Sequence, residues 1–284
     1  MPNLIEITDL HDPRIEVYRD IRERDLVGRA GLFVAEGKVV VEKLVDSALL
    51  HHPLSLLIAS KRVDALQPVM SRLADDVPVY VATQNVIDAI AGFPLHRGIL
   101  AIGRRTDVPT ADDLLSACGE CATVLVLTGI ANHDNMGGIF RNAAAFGVNA
   151  VLLDADCCDP LYRKAIRVSV GATLLVRFAQ MARQQDPVDL LERHAFDPVA
   201  LSPAGACLLT DWCPGPRTAV LLGAEGPGLS ADYIQRTHSI QIAMSAGFDS
   251  LNVATTSGIV IHHIAAFGAQ GCRTLGTPIR SSSV

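Results

Sequence analysis

Three short segments hold residues whose types and spacing could do chemistry. NHDNMGGIFRNAAAFG, residues 132–147, places Asn135 and Arg141 six positions apart and sets Arg141 among Gly, Ala, Ile and Phe. A guanidinium there can clamp a phosphate, reach across a subunit interface or steady a developing oxyanion. Gly137 and Gly138 predict close approach by a backbone or a ligand. The second segment, TAVLLG, is a buried-strand pattern leading into Glu225 and Gly226. The third, IQIAMSAGFDSLNVATTSG, reads as strand, glycine-containing loop and helix start, presenting Ser250 and Asn252. Each polar group has a structural alternative, since Asn, Ser and Glu also cap helices and turns.

Other constellations fail on their chemistry. GAEGPGLS, residues 223–230, has the glycine spacing of a phosphate loop without the lysine that reaches the phosphates. As a dinucleotide fingerprint, Gly226, Gly228 and Ala231 lack an acid in the next strand for a ribose hydroxyl. Cys118 and Cys121 form a CxxC, but Cys157 and Cys158 are adjacent and would reach one zinc only under strain. Buried apolar thiols, and no metal, are expected. Ser245 and Ser250 lie outside any G-x-S-x-G elbow, so a hydrolase triad has no support. His51–His52 and His262–His263 read as surface or interface histidines.

Periodicity gives the elements that must position these groups. RIEVYRDIRERDLV, KVVVEKLVDSALL, DALQPVMSRLA and NVIDAIAG are helical in pattern, while LFVAEG, LSLLIAS, VPVYVA and GILAIG read as strands, which together predict a small α/β sandwich. RRTDVPTADDLLSACGE changes character and marks the boundary. Beyond it, TVLVLTGI, NAVLLD, FDPVALS, ACLLT, TAVLLGAEG and SIQIAM alternate with helices near LYRKAIRVSVG, from Ser230 and from about Ser250. Strands alternating with helices imply a mostly parallel sheet covered on both faces. The expected layout is a domain over 1–107, a linker over 108–120, a second domain over 121–271 and a tail over 272–284.

Hydrophobic residues at 49% and charged residues at 19% exclude a disordered chain. The acidic start MPNLIEITDLHDPRIE has no secretory pattern, and SGIVIHHIAAFGAQG is too short to span a bilayer, so no membrane partner is expected. Seven cysteines, all after residue 117, do not form a secreted disulfide framework, and a cytoplasmic location is expected. The net charge of -6 speaks against nucleic acid until its distribution is considered. Arg14, Arg19, Arg22, Arg24 and Arg29, interleaved with Asp20, Glu23 and Asp25, form either an RNA-facing patch or a solvated helix face laced with ion pairs.

At this point the motifs carry a resemblance. N-x-x-x-x-x-R followed by A-x-x-G, then L-G-x-E-x-x-G, then I-x-M followed by S-L-N-V resemble the three ordered motifs of the SpoU (TrmH-like) RNA 2'-O-methyltransferases of the SPOUT class, over roughly residues 121–270. GLFVAEGKVVVEKLV and HRGILA, more weakly, resemble an L30e/L7Ae-like substrate-binding sandwich often fused in front. The resemblance implies an α/β SPOUT domain with a C-terminal trefoil knot, an S-adenosyl-L-methionine cofactor, a homodimer with shared active sites, and methylation of a ribose 2'-hydroxyl in structured RNA. Ribosomal RNA is favoured over transfer RNA by analogy.

By position, the resemblance assigns cofactor contacts to Gly223, Ile242 and Leu251, with Leu222 and Met244 as walls. Arg141 matches the family's catalytic arginine. Asn135 would orient it or the ribose, Ser250 and Asn252 would hold the loop and target nucleotide, and Glu225 would fix the second-motif loop through backbone amides. Two positions depart from the pattern: Ala243 stands where Pro is common, and Asn142 where Thr often follows the arginine. A non-catalytic RNA-binding protein on the same fold and a nucleotide-cofactor oxidoreductase using GAEGPGLS are the competing readings.

Overall fold

The computed structural model describes residues 3–19, 31–47, 49–92, 94–95, 97–106, 108–245 and 250–272. Two compact units emerge. The first comprises residues up to Val108 with Asn132–Arg141 and Cys158–Leu175; the second comprises Pro109–Ala131, Asn142–Cys157 and the chain from Val176.

In the first unit, β1 (Asn3–Glu6), β2 (Leu32–Glu36), β3 (His51–Ala59), β4 (Pro78–Ala82) and β5 (Ile99–Arg105) form one sheet in the order β1-β4-β3-β5-β2. β1, β4 and β3 run parallel, whereas β5 is antiparallel to both β3 and β2. Helices α1 (Lys38–Asp46), α2 (Val63–Met70) and α3 (Gln84–Ala91) follow strands as their periodicity predicts. Ile7, Ile15, Tyr18, Leu57, Ile87, Ile90 and Leu100 share one buried cluster, in which Tyr18 and Ser55 meet through their hydroxyls at 2.8 Å.

Two expectations change here. The described part of RIEVYRDIRERDLV, through Arg19, gives a 3₁₀ turn over Pro13–Tyr18, capped by Asp12, with Arg19 extended, and the rest of that expected helix lies outside the described residues. Arg14 is engaged by Asp12, and Arg19 donates to the carbonyls of Leu10 and Asp12, so intrachain partners use both cations. Asp20, Arg22, Glu23, Asp25, Arg24 and Arg29 lie outside the described residues. His51 is not a surface histidine but 4% exposed, packed edge-on against Phe33. It lies at the start of β3, opposite Arg105, where β3 pairs inside the sheet.

Among its described residues the second unit contains seven parallel strands, β6 (Ala122–Leu127), β7 (Ala150–Leu153), β8 (Phe178–Gln180), β9 (Asp197–Leu201), β10 (Cys207–Leu208), β11 (Arg217–Leu222) and β12 (His238–Gln241), in the order β10-β12-β9-β11-β6-β7-β8. β6 and β11 are almost wholly buried, as continuous apolar runs in a parallel sheet require. The segment read as a linker contains α4 (Ala111–Ser116), closed by a reciprocal capping box between Thr110 and Asp113, and Leu114 and Leu115 join the sheet's core. Pro and paired acids there start a helix, and the division between the two units falls just ahead of it, between Val108 and Pro109.

Helix α5 (His133–Ala145) crosses the division between the units after Arg141, and α6 (Arg163–Val168) belongs to the first unit. Within that unit Arg163 pairs with Glu36 at the end of β2, at 2.7 Å and largely shielded from solvent. The second unit also has α7 (Pro187–Arg193), α8 (Ala231–Arg236), whose N-cap is Ser230, and α9 (Val253–Cys272). Among the described residues no helix is long and apolar enough to cross a membrane.

Candidate functional site

The carboxyl ends of β9, β11 and β12 open onto a cavity of about 610 Å³ in the second unit. Parallel α/β sheets place ligands at this end because the loops leaving the strands diverge there. β12 stops at Gln241, three residues short of the end of the expected IQIAM strand at Met244. Its partners run out: β10 pairs only with Ile240 and Gln241, and β9 reaches only Ile240. Ile242 and Met244 are thereby released from the sheet into the cavity wall.

The loop after β11 folds back on itself. Ala224 and Gly228 form an isolated antiparallel bridge, with the Gly228 N–H donating to the Ala224 carbonyl at 3.0 Å. Gly223 permits this closure, because a Cβ there would lie 2.3 Å from the Gly228 carbonyl carbon. Leu222, Gly223 and Glu225 line the cavity from this side, while Ser250, Leu251 and Asn252 line it from the segment entering α9. Leu251 is 40% exposed, an apolar side chain left for a ligand to cover.

Asn252 is both a cap and a tether. Its Oδ1 accepts from the N–H groups of Ala254 and Thr255, which starts α9 at Val253 rather than near Ser250. Its Nδ2 donates to Glu225 Oε1 at 3.2 Å. Glu225 thus reaches a side-chain amide of the third motif.

Among the described residues lining the cavity, Glu225 is the one charged side chain. A phosphate-bearing cofactor would find no countercharge there. A small, largely apolar ligand carrying positive charge would find apolar walls, backbone polar groups and one carboxylate. Pro203, with Leu201 and Ser202, adds a wall that sequence reasoning missed. The only signal was the turn-like LSPAG after a buried strand.

Asn135 and Arg141 lie in the first unit, on α5. Asn135 is 6% exposed whereas Arg141 is exposed. Six residues of α-helix turn by about 600°, so the two side chains leave the helix some 120° apart and do not share a face. Gly137 does not serve ligand approach. A Cβ there would stand 2.8 Å from both the Ala165 carbonyl oxygen and Val168 Cβ, so its bareness lets α5 pack against α6. Nor is Arg141 a lone charge: burial, and then the charge of Arg141, lower the pKa of Lys43, whose ammonium donates to the Val170 carbonyl at 2.7 Å.

Asn142, the departure next to the arginine, belongs to the second unit. It donates to the Ala254 carbonyl at 2.7 Å and to Ser257 Oγ at 3.0 Å, joining the end of α5 to α9. Cys157 accepts from the Ile130 N–H and donates to the Leu127 carbonyl, while burial raises its pKa and lifts that of Cys158 to about 11. Cys157 fixes its loop, and neither thiol is in a setting that favours the reactive thiolate. His263 stacks on Trp212 and bonds its carbonyl at 2.9 Å; His262 sits edge-on to Phe146.

Comparison with known proteins gives this geometry a context. The family described as the SpoU rRNA Methylase family matches residues 122–262. An uncharacterized tRNA/rRNA methyltransferase of Mycobacterium bovis is 37% identical over 266 residues, covering 90% of each chain. The 23S rRNA (guanosine-2'-O-)-methyltransferase of Acinetobacter baylyi is 27% identical over 66% of this chain and 77% of its own. In fold, the chain resembles the AdoMet-bound rRNA methyltransferase of Sinorhizobium meliloti, with a TM-score of 0.78 and 20% identity over 96% of this chain and 99% of that one. A domain match that spans all three motif segments, with a full-length relative above 30% identity, settles the assignment: this chain belongs to the SpoU rRNA Methylase family of RNA methyltransferases.

Proposed function

We propose that this protein transfers a methyl group from S-adenosyl-L-methionine to a ribose 2'-hydroxyl of structured ribosomal RNA. The observation that carries the cofactor is the cavity itself, apolar in its walls and with Glu225 as the one charge among its described lining residues. Leu222, Ile242, Met244 and Leu251 offer walls for an adenine, and the backbone at Gly223 offers polar atoms; no described lysine, arginine or histidine lines it for a phosphate. When bound, the cofactor supplies an electrophilic sulfonium methyl. The name of the Acinetobacter relative supports the 2'-oxygen and ribosomal RNA. Transfer RNA is the second reading, because the name of the Mycobacterium relative spans both.

In this reading Arg141 holds the target phosphate and stabilises the alkoxide that forms as the 2'-hydroxyl loses its proton. A guanidinium stays protonated at neutral pH and is a poor base there, so the proton leaves to substrate phosphate or water. Asn135, buried on the same helix, orients Arg141 or the ribose. Ser250 and Asn252 present the loop at the cavity mouth, and Glu225 is steadied by Asn252.

The reading extends to a trefoil knot in the C-terminal domain, an L30e/L7Ae-like RNA-binding domain ahead of it, a cytoplasmic homodimer with active sites drawn from both subunits, and the boundaries given from sequence. Its test compares stable RNA from cells with and without the gene. One alkali-resistant 2'-O-methyl site should disappear from ribosomal RNA and return with wild-type protein. Loss from no stable RNA would overturn the proposal, and loss from transfer RNA would establish the second reading.

A further inference from the structure

The residues behind the weaker resemblance, Gly37 and Lys38 of GLFVAEGKVVVEKLV and Arg97 and Gly98 of HRGILA, are used by nothing in the function above. They lie about sixty residues apart in the chain, yet the first unit brings them to one cavity of about 430 Å³, walled by Lys38, Val39, Arg62, Arg97, Ile99 and Val170 among others. Three of the lining side chains are cations and none is an acid. Among the described residues, no carboxylate pairs with Arg62 or Arg97, while Lys38 has a long contact of 3.8 Å with Glu42. Like charges gathered with a carboxylate in reach of Lys38 alone raise the energy of the empty site and lower that of an anion entering it.

The backbone is shaped to hold these cations close. Gly37 has φ +92°, and a Cβ there would fall 2.7 Å from Arg97 Cδ and 2.9 Å from its Nη1. Gly98 has φ +60°, and its Cβ would meet Ala59 Cβ at 3.2 Å and Arg62 Cγ at 3.5 Å. A side chain at position 37 would push the Arg97 guanidinium away. At the edge, Val170 keeps φ +54°, a conformation that β-branched residues rarely adopt. Its carbonyl receives the Lys43 ammonium at 2.7 Å, and Lys43 in turn feels the charge of Arg141.

We propose that this cavity is a phosphate site that holds a backbone phosphodiester of the RNA substrate in the same structural unit as Arg141. The inference rests on the RNA reading above. Two guanidinium forks and an ammonium suit the several oxygens of a phosphate chain, and Val39, 50% exposed, offers an apolar edge to the adjoining sugar. An acidic peptide is the competing occupant, and the test separates it.

The experiment measures binding of full-length protein to ribosomal RNA from cells lacking the gene, over a series of KCl concentrations, beside methyl transfer to the same RNA. Arg62→Gln/Arg97→Gln should weaken binding at least about tenfold at low salt and reduce the slope of log affinity against log salt by roughly 1–2. Affinity for S-adenosyl-L-methionine and the circular dichroism spectrum should stay as in wild type. Arg72→Gln removes a cation paired with Asp46 outside the cavity and should leave the slope nearly unchanged. Val39→Asp, which opposes an anion without removing a cation, should weaken RNA binding in a folded protein. Wild-type salt dependence in the double variant, an equal effect from Arg72→Gln, or competition by polyglutamate as strong as by polyuridylate would overturn the site while methyl transfer persists. A wild-type protein that neither binds nor methylates RNA would overturn the functional reading, and the phosphate site with it.

Discussion

Asn252 donates to Glu225 across 3.2 Å while the other end of its amide caps α9, so one side chain ties the loop after β11 to the start of the last helix. These are the two loops that bound the cavity, and their joining sets the cavity's mouth. The cap and the tether can be separated by substitution. Asn252→Ala should lose both and lower stability by about 1 kcal/mol. Asn252→Asp keeps the cap but puts a carboxylate against Glu225. It should hold its melting temperature better than Asn252→Ala while losing cofactor affinity, which calorimetry with S-adenosyl-L-methionine would measure. Equal affinity in Asn252→Asp and wild type would show that the tether is not needed.

Gly223→Ala tests the folded-back loop. The added methyl would sit 2.3 Å from the Gly228 carbonyl carbon, and both are backbone positions with little room to yield. The loop should move, with a cost of roughly 1–3 kcal/mol. Cofactor affinity should fall more than the melting temperature alone would suggest.

Helix α5 offers a control at a residue that does not line the cavity. Gly137→Ala would place a methyl 2.8 Å from the Ala165 carbonyl oxygen and Val168, forcing α5 and α6 apart. Turnover should fall through displacement of Arg141, while cofactor affinity stays near wild type. A drop in cofactor affinity with unchanged turnover would contradict the assignment of Gly137 to this packing.

Arg141→Lys keeps the charge and loses the fork. If bidentate geometry steadies the oxyanion and phosphate, kcat should fall by roughly 10²-fold with the cofactor Kd unchanged. Near-wild-type kcat would show that a point charge suffices.

His51 predicts a pH dependence of stability. Burial, and then the Arg105 charge, hold its pKa at about 4, below the ordinary imidazole value of 6.5, and its Nδ1 has no hydrogen-bond partner among the described residues. Between those values the unfolded chain binds a proton that the folded chain refuses. The contribution is fully present above about pH 6.5 and is lost as pH falls toward 4, reaching up to roughly 3 kcal/mol. Melting temperatures across this window should drop less steeply for His51→Leu than for wild type.

Much of this was legible in one dimension. Buried parallel strands announce themselves as apolar runs because both faces are covered, which is why TVLVL and TAVLL stood out. The cavity residues Leu222, Gly223, Glu225, Ile242, Met244, Ser250, Leu251 and Asn252 came from motif order, and the structure brings them to the lining of one cavity. Short elements were less readable: β1 is an edge strand of four residues with none of them buried, and α4 begins in a stretch whose Pro and acids give no helical periodicity.

The sequence by itself determined the apolar runs, the three ordered motifs and the absence of a phosphate-loop lysine, because these are properties of residue type and spacing along the chain. Only the tertiary structure decided what the glycines and amides serve. Gly137 faces a second helix and Gly223 a distant part of its own loop; Asn142 and Asn252 spend their donors on Ala254 and Glu225. Whether a bare Cα admits a ligand or a neighbouring helix depends on what stands within 3 Å of it, and that is fixed by packing between segments far apart in sequence.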